Sequence, residues 1–541
     1  MFSDRHLLKT LFISTLTAVF FCLPLTVSAE TEYLCLQVAL HLDSNVSGGR
    51  YSPEKLVDMA EQAGLDALIF CDHDRFGVEY GIPPFRNLIK KRFTNPSLES
   101  FGFDRYLRLL DSLDRATPAL AIIPGAEVNP LYYWSEDPFR ETLSQGFDLD
   151  RFTFNSLTLK NWHQHLMVIG LSNPGDYQDL PATASKIHPP FKYYFSLIAQ
   201  SGFSALLKSP LVTIFFAGIG ILLGIRLFFK RSANQVDFYG QTLKVKRKPL
   251  RKTAAILITF CLALIIDRYP FTPWLNSPYG KDDRTAATQR LIDYVAEKGG
   301  LIYFAHPEAG NETRLNDIKI STLPAANLLL KTENYTGFAV FGEGFREVGA
   351  PGGIWDRTLR QYCAGERSHP VWAVGELDFE GDLPDRFLEE VSTFVWAEEN
   401  SPAAILQALA AGRCYASQFF APRFLRLKEW SITSVSNPKS AVVSGENLSS
   451  ADSIILNIEI GFAPGEDIPP EAKDFSLFIV RDGKIIHKVH FKESLKLKFR
   501  DLPPEDISYY RLWLIQGEHN PIIAANPIFV DNFSHKSPIT Q

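Results

Sequence analysis

The stretch Ala67-Leu-Ile-Phe-Cys-Asp-His-Asp74 joins a short apolar run, typical of a buried strand, to three side chains that can bind a metal ion. An earlier apolar run, Leu34–Leu40, ends in the same way at His41-Leu42-Asp43. Between the two runs the sequence predicts a helix that follows the N-cap Ser52 and stops at Gly64. Enzymes built from repeated strand–helix units carry their chemistry at strand ends. The sequence therefore predicts a β-α-β unit that contributes to a metal-binding site.

Strand-like runs of this kind recur along the chain, separated mostly by helix-like segments such as Ala286–Lys298. Strands that alternate with helices predict a parallel sheet, and this number of strands predicts a closed α/β barrel over about residues 31–425. Its two parts, 31–190 and 281–425, would flank an insertion at 191–280. The predicted strands are Tyr33–His41, Ala67–Cys71, Ala119–Pro124, His165–Leu171, Leu301–Ala305, Thr336–Phe341 and Val371–Gly375.

The character of the sequence changes after Leu425, because strand-like runs continue there without a long helical period. Arg481-Asp-Gly-Lys484 carries the turn signal of a β-hairpin. We expect an all-β, sandwich-like C-terminal domain at 426–541. Its predicted strands include Ser453–Ile460, Phe475–Arg481, Lys484–Phe491 and Tyr509–Gln516.

The composition limits the class of protein. With 541 residues, of which 46% are hydrophobic and 21% charged, the chain is expected to form two or three folded units. The formal net charge of −6 gives no support for nucleic acid as a partner. No two cysteines have the C-x-x-C spacing, so neither a zinc ribbon nor a thioredoxin-type redox site is predicted.

The first 30 residues predict an export signal. Basic residues near the N-terminus precede the apolar run Leu11–Val27, and Val27-Ser28-Ala29 has the small residues that suit signal-peptidase cleavage. We expect either cleavage after Ala29 or retention of the segment as an N-terminal anchor.

Two more apolar segments predict a transmembrane hairpin, with helices at about 211–229 and 253–270. The segment between them, 230–252, contains eight lysines and arginines and only one aspartate. By the positive-inside rule this basic loop is cytoplasmic, which places both flanking arms on the periplasmic or extracellular side. The alternative is a pair of core helices with a charged connector, because the second segment is short.

Imidazole and carboxylate side chains gather at the ends of the predicted strands. If the strands form one barrel, these groups share one rim, and their mutual repulsion calls for divalent cations to neutralise it. The residues at or just beyond the strand ends are His41, Asp43, Asp72, His73, Asp74, Glu127, His165, His306, Asp378 and Glu380.

The order of these motifs resembles the PHP (polymerase and histidinol phosphatase) family of metal-dependent phosphoesterases. The series runs His-x-Asp, Asp-His-Asp, Gly-x-Glu, an isolated His, Ala-His-Pro and Gly-x-x-Asp-Phe-Glu. The resemblance implies a distorted (β/α)7 barrel and phosphate-ester hydrolysis by metal-activated water. It covers about residues 33–75, 119–130, 160–172, 284–310 and 333–416, and Ala525-Asn-Pro-Ile528 is similar to the terminal strand of a β-domain appended to some members.

The resemblance also implies a set of site residues. His73 and Asp378 would be catalytic, and two divalent ions would be bound. The implied metal ligands are His41, Asp43, His73, Glu127, His165, His306, Asp378 and Glu380.

Two motifs depart from the family pattern. His41-Leu42-Asp43 stands where the family has His-x-His, and Asp378-Phe379-Glu380 stands where it has Asp-x-His. The acid usual in the loop after the first motif is absent from Ser47-Gly48-Gly49. An oxygen-richer shell would favour manganese, magnesium or iron over zinc. Loss of one metal and of activity is the alternative.

Three neighbours of His73 have more than one interpretation. Asp72 either orients His73 or caps the loop. Asp74 is either a ligand or a helix N-cap. Arg75 is either a substrate-binding clamp for phosphate or a surface residue. His163, His188 and His369 are given no role.

The leading hypothesis is a membrane-tethered phosphoesterase that acts on a small phosphorylated substrate outside the cytoplasm. The rival is a catalytically degenerate sensor or binding module that keeps the barrel and uses the C-terminal β-domain to contact a protein partner. Metal stoichiometry and turnover separate the two. Substrate specificity is expected in the long connections Gly81–Pro118 and Leu131–Trp162, which contain no motif that names a substrate.

Overall fold

The computed structural model describes a mixed α/β protein. The predicted export signal at 1–30 lies outside the described residues. The part of the predicted insertion that precedes its first helix, 191–209, also lies outside them. The described residues are 33–135, 158–182, 210–229, 233–238, 241–246, 250–268, 278–279, 282–315, 318–383, 386–419, 425–450, 452–462, 474–504 and 506–532.

The helices of the described residues are α1 Pro53–Ala63, α2 Leu98–Phe101, α3 Phe103–Ala116, α4 Pro174–Gln178, α5 Pro210–Phe229, α6 Arg251–Arg268, α7 Arg284–Glu297, α8 Leu328–Lys331, α9 Ile354–Cys363 and α10 Pro402–Ala411. The strands that precede α5 are β1 Leu34–Leu42, β2 Ala67–Phe70, β3 Gly77–Gly81, β4 Lys90–Thr94, β5 Ala121–Ile123, β6 Gly125–Val128, β7 Tyr133–Ser135, β8 Thr158–Lys160 and β9 Leu166–Ile169. Two strands lie between α5 and α6, β10 Ala233–Phe238 and β11 Gln241–Lys246. The remaining strands are β12 Leu301–Phe304, β13 Asn311–Leu315, β14 Ile318–Thr322, β15 Gly337–Phe341, β16 Trp372–Gly375, β17 Val391–Ala397, β18 Cys414–Gln418, β19 Leu425–Ser434, β20 Ala441–Val443, β21 Asn447–Ser449, β22 Ile454–Phe462, β23 Phe475–Arg481, β24 Lys484–Phe491, β25 Leu495–Asp501, β26 Asp506–Gln516 and β27 Asn520–Asn532.

Helix α1 forms where the sequence predicts it. The Ser52 hydroxyl accepts a hydrogen bond from the Lys55 amide, and Gly64 ends the helix in a left-handed conformation with φ 71°. One face of the helix is buried, and Leu56 is fully buried in the core. Burial of one such side chain stabilises the fold by about 1.5–3 kcal/mol. The first β-α-β unit is therefore fixed by capping and by an apolar face.

The predicted strands all form, but they do not make one parallel sheet. Strands β1, β2 and β5 pair in parallel in one sheet, and β12, β15 and β16 pair in parallel in another. The second sheet has the order β16-β15-β12-β9-β6. Within it, β9 lies between β12 and β6 and is antiparallel to both. The expectation of a single closed parallel barrel is therefore not met, because the strands divide between two sheets.

The switch between sheets occurs at Pro124, which separates β5 from the unpredicted strand β6. Proline has no amide hydrogen to continue the first ladder. At the next residue, a Cβ on Gly125 would lie 2.6 Å from the Phe70 carbonyl oxygen, so only glycine allows this approach. The two sheets meet through isolated bridges at Leu42–Phe379 and His73–Glu127. Candidate ligands thus lie on the seams between the sheets.

The C-terminal strands form two facing sheets with an apolar core between them. One sheet has the order β20-β19-β22-β25. The other has the order β24-β23-β26-β27 and continues through β18 and β17 into β1. The predicted hairpin Phe475–Arg481 with Lys484–Phe491 forms with the predicted bounds. A single hydrogen-bonded sheet therefore runs from the C-terminal strands to the strand that carries His41.

A buried ion pair joins the same two regions. The Arg511 guanidinium on β26 contacts both carboxylate oxygens of Asp356 on α9, at 2.7 and 2.6 Å, and neither side chain is exposed. The Tyr509 hydroxyl also donates to Asp356, at 2.8 Å. The guanidinium lies over the Trp355 ring, 4.4 Å from its centroid. These contacts fix α9 against the C-terminal strands.

Asn526 on β27 makes a second link. Its side chain accepts from the Ala373 amide at 2.7 Å and donates to the Ala373 carbonyl at 3.0 Å. The Trp430 indole donates to its backbone carbonyl. This explains the Ala525-Asn-Pro-Ile528 stretch: the asparagine satisfies backbone groups of β16, the strand that precedes Glu376 and Asp378.

Helices α5 and α6 pack against each other, and a Cβ on Gly220 would lie 2.5 Å from the Cys261 sulfur. One helix of the described residues, at Val212–Phe229, is long and apolar enough to cross a membrane, with 11% of that window buried. Helix α6 does not meet the same measure, so the second predicted span has no such support. The basic loop between them contains the β10–β11 hairpin, which the sequence reasoning did not anticipate.

The two long connections also contain unpredicted strands. One forms the β3–β4 hairpin, and the other supplies β7 and β8, which join β13 and β14 in a four-stranded sheet. We call these six strands the cap. They share an apolar cluster built largely from Val78, Tyr80, Tyr132, Trp134, Leu159 and Trp162. All six lie in connections that begin or end beside candidate ligands.

Candidate metal centre

Six of the predicted ligands approach one another at the ends of strands from both sheets. His41 is on β1, Glu127 is on β6, and the other four lie just beyond or before a strand. Two groups have ligand atoms that all lie within 4.8 Å of one another: His41, Asp43 and Asp378 in the first, and His73, Glu127 and His165 in the second.

In the first group the His41 ring is fully buried, and the nitrogen that faces away from Asp43 and Asp378 contacts Glu376. Its Nδ1 lies 2.6 Å from Glu376 Oε1, so the protonated nitrogen donates to that carboxylate. Its Nε2 has no hydrogen-bond partner and lies 3.5 Å from Asp43 Oδ2 and 3.8 Å from Asp378 Oδ1. These separations are too long for hydrogen bonds, but they suit ligands that surround one ion at roughly 2.0–2.2 Å each.

In the second group His165 has a similar arrangement. Its Nε2 lies 3.0 Å from the Trp162 carbonyl oxygen, which can only accept, so the proton sits on Nε2. Its Nδ1 lies 2.6 Å from Glu127 Oε1 and is free to offer a lone pair. His73 approaches the other oxygen, with Nδ1 2.8 Å from Glu127 Oε2. An outer partner that fixes the tautomer is the usual companion of a metal-binding histidine.

Glu127 stands between the two groups. Besides its contacts with His165 and His73, its Oε1 lies 3.7 Å from His41 Nε2. Burial alone would raise the pKa of Glu127, but the three histidines hold it well below its usual range. A buried carboxylate that reaches both groups has the position of a ligand shared by two ions.

Glu376 is a buried carboxylate beside both His41 and His306 that the sequence did not predict as part of the site. Its Oε2 accepts from the His306 amide at 2.7 Å, and its Oε1 lies 3.5 Å from His306 Nδ1 as well as close to His41. Burial would raise its pKa, but these two histidines lower it to about 2. The available signal was its place directly after a strand in Gly375-Glu376-Leu377-Asp378. Glu376 thus holds the His41 ring through Nδ1 and the His306 backbone through its amide.

His306 lies beside the two groups rather than within either. Its ring centroid is 5.5 Å from that of His165, and its Nδ1 has no hydrogen-bond partner. Burial lowers the pKa of His306, yet Glu376 and other carboxylates raise it to about 10. The ring is therefore available to the same centre.

Three of these residues have left-handed backbones, with φ 73° at His41, 26° at His306 and 50° at Asp378. Such conformations are strained for residues other than glycine and persist only where the surroundings hold them. At Asp378 the Arg386 guanidinium provides that support, because it donates to the carbonyls of Asp378 and Leu377 at 2.9 and 2.5 Å. The strain turns these side chains away from their strands toward a common point.

Asp72 caps the loop rather than orienting His73. Its carboxylate accepts from the Ser44 amide at 2.8 Å and from the hydroxyls of Ser44 and Ser47. Ser47 also donates to Asp43 Oδ1 at 3.1 Å. The loop that lacks the family's acid is thus organised by serines, and Asp43 is held toward the first group.

Glu380, like His306, is a predicted ligand that lies outside both groups. The residue is exposed, and its backbone carbonyl accepts from the Arg50 amide at 2.8 Å. Lost solvation and the nearby Asp378 carboxylate raise the pKa of Glu380. The preceding residue, Phe379, is buried.

Arg75 is neither a surface residue nor free to bind phosphate. Its guanidinium is buried, donates to Asp74 Oδ2 at 2.7 Å and to the Gln178 carbonyl at 2.5 Å, and lies over the Phe103 ring. The Asp74 carboxylate is thus paired with Arg75, and the N-cap of the following helix α2 is Ser97. The structure therefore gives no support for the phosphate-clamp hypothesis or for Asp74 as a ligand.

An aromatic wall borders the second group. The Phe76 ring stacks on His73 at 4.3 Å between centroids, and Trp162 stacks on Phe76 at 5.6 Å. His163, which the sequence left without a role, lies 6.0 Å from the His165 ring, and burial lowers its pKa to about 4. The neutral ring of His163 belongs to the surroundings of the centre.

The donor set fits divalent cations. Three buried imidazole nitrogens, His41 Nε2, His165 Nδ1 and His306 Nδ1, have no hydrogen-bond partner. Burial lowers the pKa of His41 and His73, but neighbouring carboxylates raise both, that of His73 to about 9. In the absence of other cations, protons on histidine would balance these buried carboxylates. Divalent ions would supply the same charge through the unpartnered nitrogens.

Comparison with known proteins gives structural similarity at low identity. No family model and no curated protein matches the chain. A two-domain protein from Bacteroides vulgatus, which contains a predicted PHP-like metal-dependent phosphoesterase, is 12% identical with a TM-score of 0.31 and covers 88% of this chain and 90% of its own.

Two further structures are similar over a shorter part of the chain. A proposed metal-dependent phosphoesterase from Bifidobacterium adolescentis is 14% identical, with a TM-score of 0.23 over 65% of this chain and 90% of its own. An amidohydrolase from Chromobacterium violaceum, solved with bound sulfate and no metal, is 14% identical, with a TM-score of 0.22 over 64% of this chain and 89% of its own. At these TM-scores the similarity carries no argument about activity, which has to come from the side chains of the centre.

Proposed function

We propose that the chain is a metal-dependent phosphoesterase of the PHP type, in which two divalent ions bind at the centre described above. The observation that carries this proposal is the pair of adjacent ligand groups with the buried Glu127 between them. A site that had lost one metal would be expected to lose the donor atoms of one group, whereas both groups keep unpartnered histidine nitrogens.

Divalent ions held here would lower the pKa of a water molecule and neutralise phosphate oxygens. The protein's own residues would complete the site. His41 and His165 keep their outer nitrogens protonated toward Glu376 and Trp162, so that the inner nitrogens stay free. The Asp378 side chain is 45% exposed, so its carboxylate is the candidate ligand of the first group that a substrate could reach.

The donor set also bears on metal identity. Four imidazoles and the carboxylates of Asp43, Glu127 and Asp378 form a mixed nitrogen and oxygen shell. Magnesium prefers oxygen ligands, whereas manganese and iron accept both kinds. We therefore propose manganese or iron ahead of magnesium, with zinc less favoured because of the share of carboxylates.

Purified full-length protein in detergent is expected to contain two divalent ions per chain and to hydrolyse generic phosphomonoesters or phosphodiesters when manganese is added. Elemental analysis gives the metal count, and phosphate or alcohol release gives the turnover. Chelation should remove the activity and manganese should restore it. One ion or none, together with no turnover on either class of ester, would instead favour a metal-binding sensor.

We also propose that α5 and α6 anchor the protein in a membrane, with 230–252 in the cytoplasm and the metal centre on the opposite side. The apolar surface of α5 and the basic character of the loop support this topology. A reporter inserted within 230–252 should behave as cytoplasmic, and one fused after Asn532 should behave as exported. The reverse pattern would contradict the proposed orientation.

A further inference from the structure

The tip of the β3–β4 hairpin, residues 82–89, lies against the last two turns of α6. The buried Asp267 carboxylate accepts from the backbone amides of Asn87 and Leu88, at 2.8 and 3.0 Å. The Asn87 side chain donates to the Asp267 carbonyl at 2.8 Å. A carboxylate is unfavourable at a helix C-terminus. Its use there as a double acceptor indicates that the hairpin tip is firmly docked on α6.

The contact continues along the helix. The Phe85 ring lies 5.3 Å from the Phe260 ring, edge to face. Phe260 is seven residues before Asp267, which corresponds to roughly 10 Å along the helix axis. The tip therefore lies alongside an apolar part of α6 and does not merely touch its end.

The outer surface at this junction is apolar. On the tip, Leu88 and Ile89 are 48% and 51% exposed. On the same part of α6, Phe260, Leu262 and Ile266 are exposed, with Ile266 at 59%. Exposed side chains of this size in one region mark an interaction surface. The exposed apolar surface of the helices thus continues onto the hairpin tip.

Basic side chains lie next to this surface, two of them paired with glutamates: Lys90 with Glu79 at 2.8 Å and Arg92 with Glu99 at 3.3 Å. The stretch from Ile82 to Thr94 contains Arg86, Lys90, Lys91 and Arg92 and no acidic residue. Basic residues beside an apolar tip suit the headgroup layer of a membrane with anionic lipids. In the proposed topology the C-terminal end of α6 is its extracytoplasmic end, so the hairpin tip and the metal centre lie on the same side.

We infer that the β3–β4 tip is a second membrane contact, in which Phe85, Leu88 and Ile89 enter the interfacial layer of an anionic lipid bilayer beside α6. This inference rests on the proposed membrane anchor. A protein partner fits less well, because the apolar tip is continuous with a helix surface that a bilayer would already surround.

Strand β3 connects the hairpin tip to the metal centre. Strand β3 begins at Gly77, immediately after Phe76, whose ring stacks on the ligand His73. Five residues of β3 then lead to the tip, a span of roughly 17 Å. Membrane contact at the tip would hold the His73 side of the centre near the lipid surface.

The test uses the full chain in nanodiscs of phosphatidylglycerol and phosphatidylcholine, in which the phosphatidylcholine acyl chains are brominated near the carbonyl group. Bromine quenches the fluorescence of a tryptophan only when the two are close together. The emission of each introduced tryptophan is obtained by subtracting the emission of the parent protein from that of the variant. The variants are Leu88→Trp on the tip, Phe216→Trp on the exposed face of α5, and Leu502→Trp in the C-terminal sheets, where Leu502 is 64% exposed.

The expected result is loss of the added emission for Leu88→Trp and Phe216→Trp, with the Leu502→Trp emission retained. Quenching of Phe216→Trp without quenching of Leu88→Trp would overturn the second contact and leave the membrane anchor standing. Absence of quenching at both positions would overturn the anchor, and the second contact with it. Hydrolytic activity is measured separately, and neither quenching result bears on the proposed phosphoesterase activity.

Discussion

Replacement of Glu127 by glutamine should remove most of the bound metal and, with it, the hydrolytic activity. The substitution keeps the shape of the side chain but removes the negative charge that lies between His41, His73 and His165. Loss of a hydrogen-bonded outer partner typically weakens metal affinity by about 10–100-fold, so loss of a shared ligand should weaken it by more than about 100-fold. Elemental analysis of the purified variant and a manganese titration measure the effect.

Two further variants make this result specific. Glu376→Gln should weaken metal binding by about 10–100-fold, because Glu376 acts through His41 and His306 rather than as a ligand. Glu79→Gln is the matched control: Glu79 is also buried, but it pairs with Lys90 at 2.8 Å in the cap, so its metal content should equal that of the parent. Full metal content in the Glu127 variant would show that the centre is not built around that residue.

Asp356→Asn should lower stability by about 3–5 kcal/mol, because it leaves the Arg511 charge buried without a countercharge. The unfolding entropy grows with chain length, so for 541 residues we expect the melting midpoint to fall by roughly 3–4 °C. Thermal unfolding followed by tryptophan fluorescence is a direct measurement, since Trp355 lies under the guanidinium.

Arg481→Met provides the control for this pair. Arg481 contacts Asp501 at 2.6 Å in the same C-terminal sheets, but both side chains are partly exposed, at 29% and 19%. The loss should therefore be under about 1 kcal/mol. Equal destabilisation by the two substitutions would contradict a special role for the buried pair.

The buried pair also predicts a pH dependence. Burial alone would raise the pKa of Asp356, but Arg511 and the other donors hold it below the value of 3.8 expected for a free carboxyl. A folded-state pKa below the unfolded one stabilises the protein above the unfolded pKa, and this contribution is lost as the pH falls through the folded value. The stability difference between the parent and Asp356→Asn should therefore shrink in acid.

The sequence was sufficient for features that depend on nearest neighbours. The caps of α1 at Ser52 and Gly64 could be read directly, because capping involves residues a few positions apart. The strands could be located from their apolar runs, and the hairpin at Arg481–Lys484 from its turn residues. Side chains such as His41 and Glu127 were candidates for metal binding because their chemistry and their place at strand ends are local properties.

Other features depended on residues far apart in the chain. Nothing near Glu376 in sequence indicates that it supports both His41 and His306, since these residues are 335 and 70 positions away. Arg75 looked like a candidate phosphate ligand until the fold placed Asp74, Gln178 and Phe103 around its guanidinium. Glu380 stands at the position of a family histidine, but its side chain is exposed and belongs to neither ligand group.

The sequence by itself determined which groups could bind metal, where the apolar strands and the capped helix α1 lie, and which segment is apolar enough for a membrane. Tertiary structure alone decided that the strands divide into two sheets, that ligands gather on their seams, and that the cap hairpin docks on α6. The physical reason is that capping, periodicity and hydropathy act over a few residues. Buried charges, in contrast, are stabilised by partners that only the folded chain brings within hydrogen-bond distance.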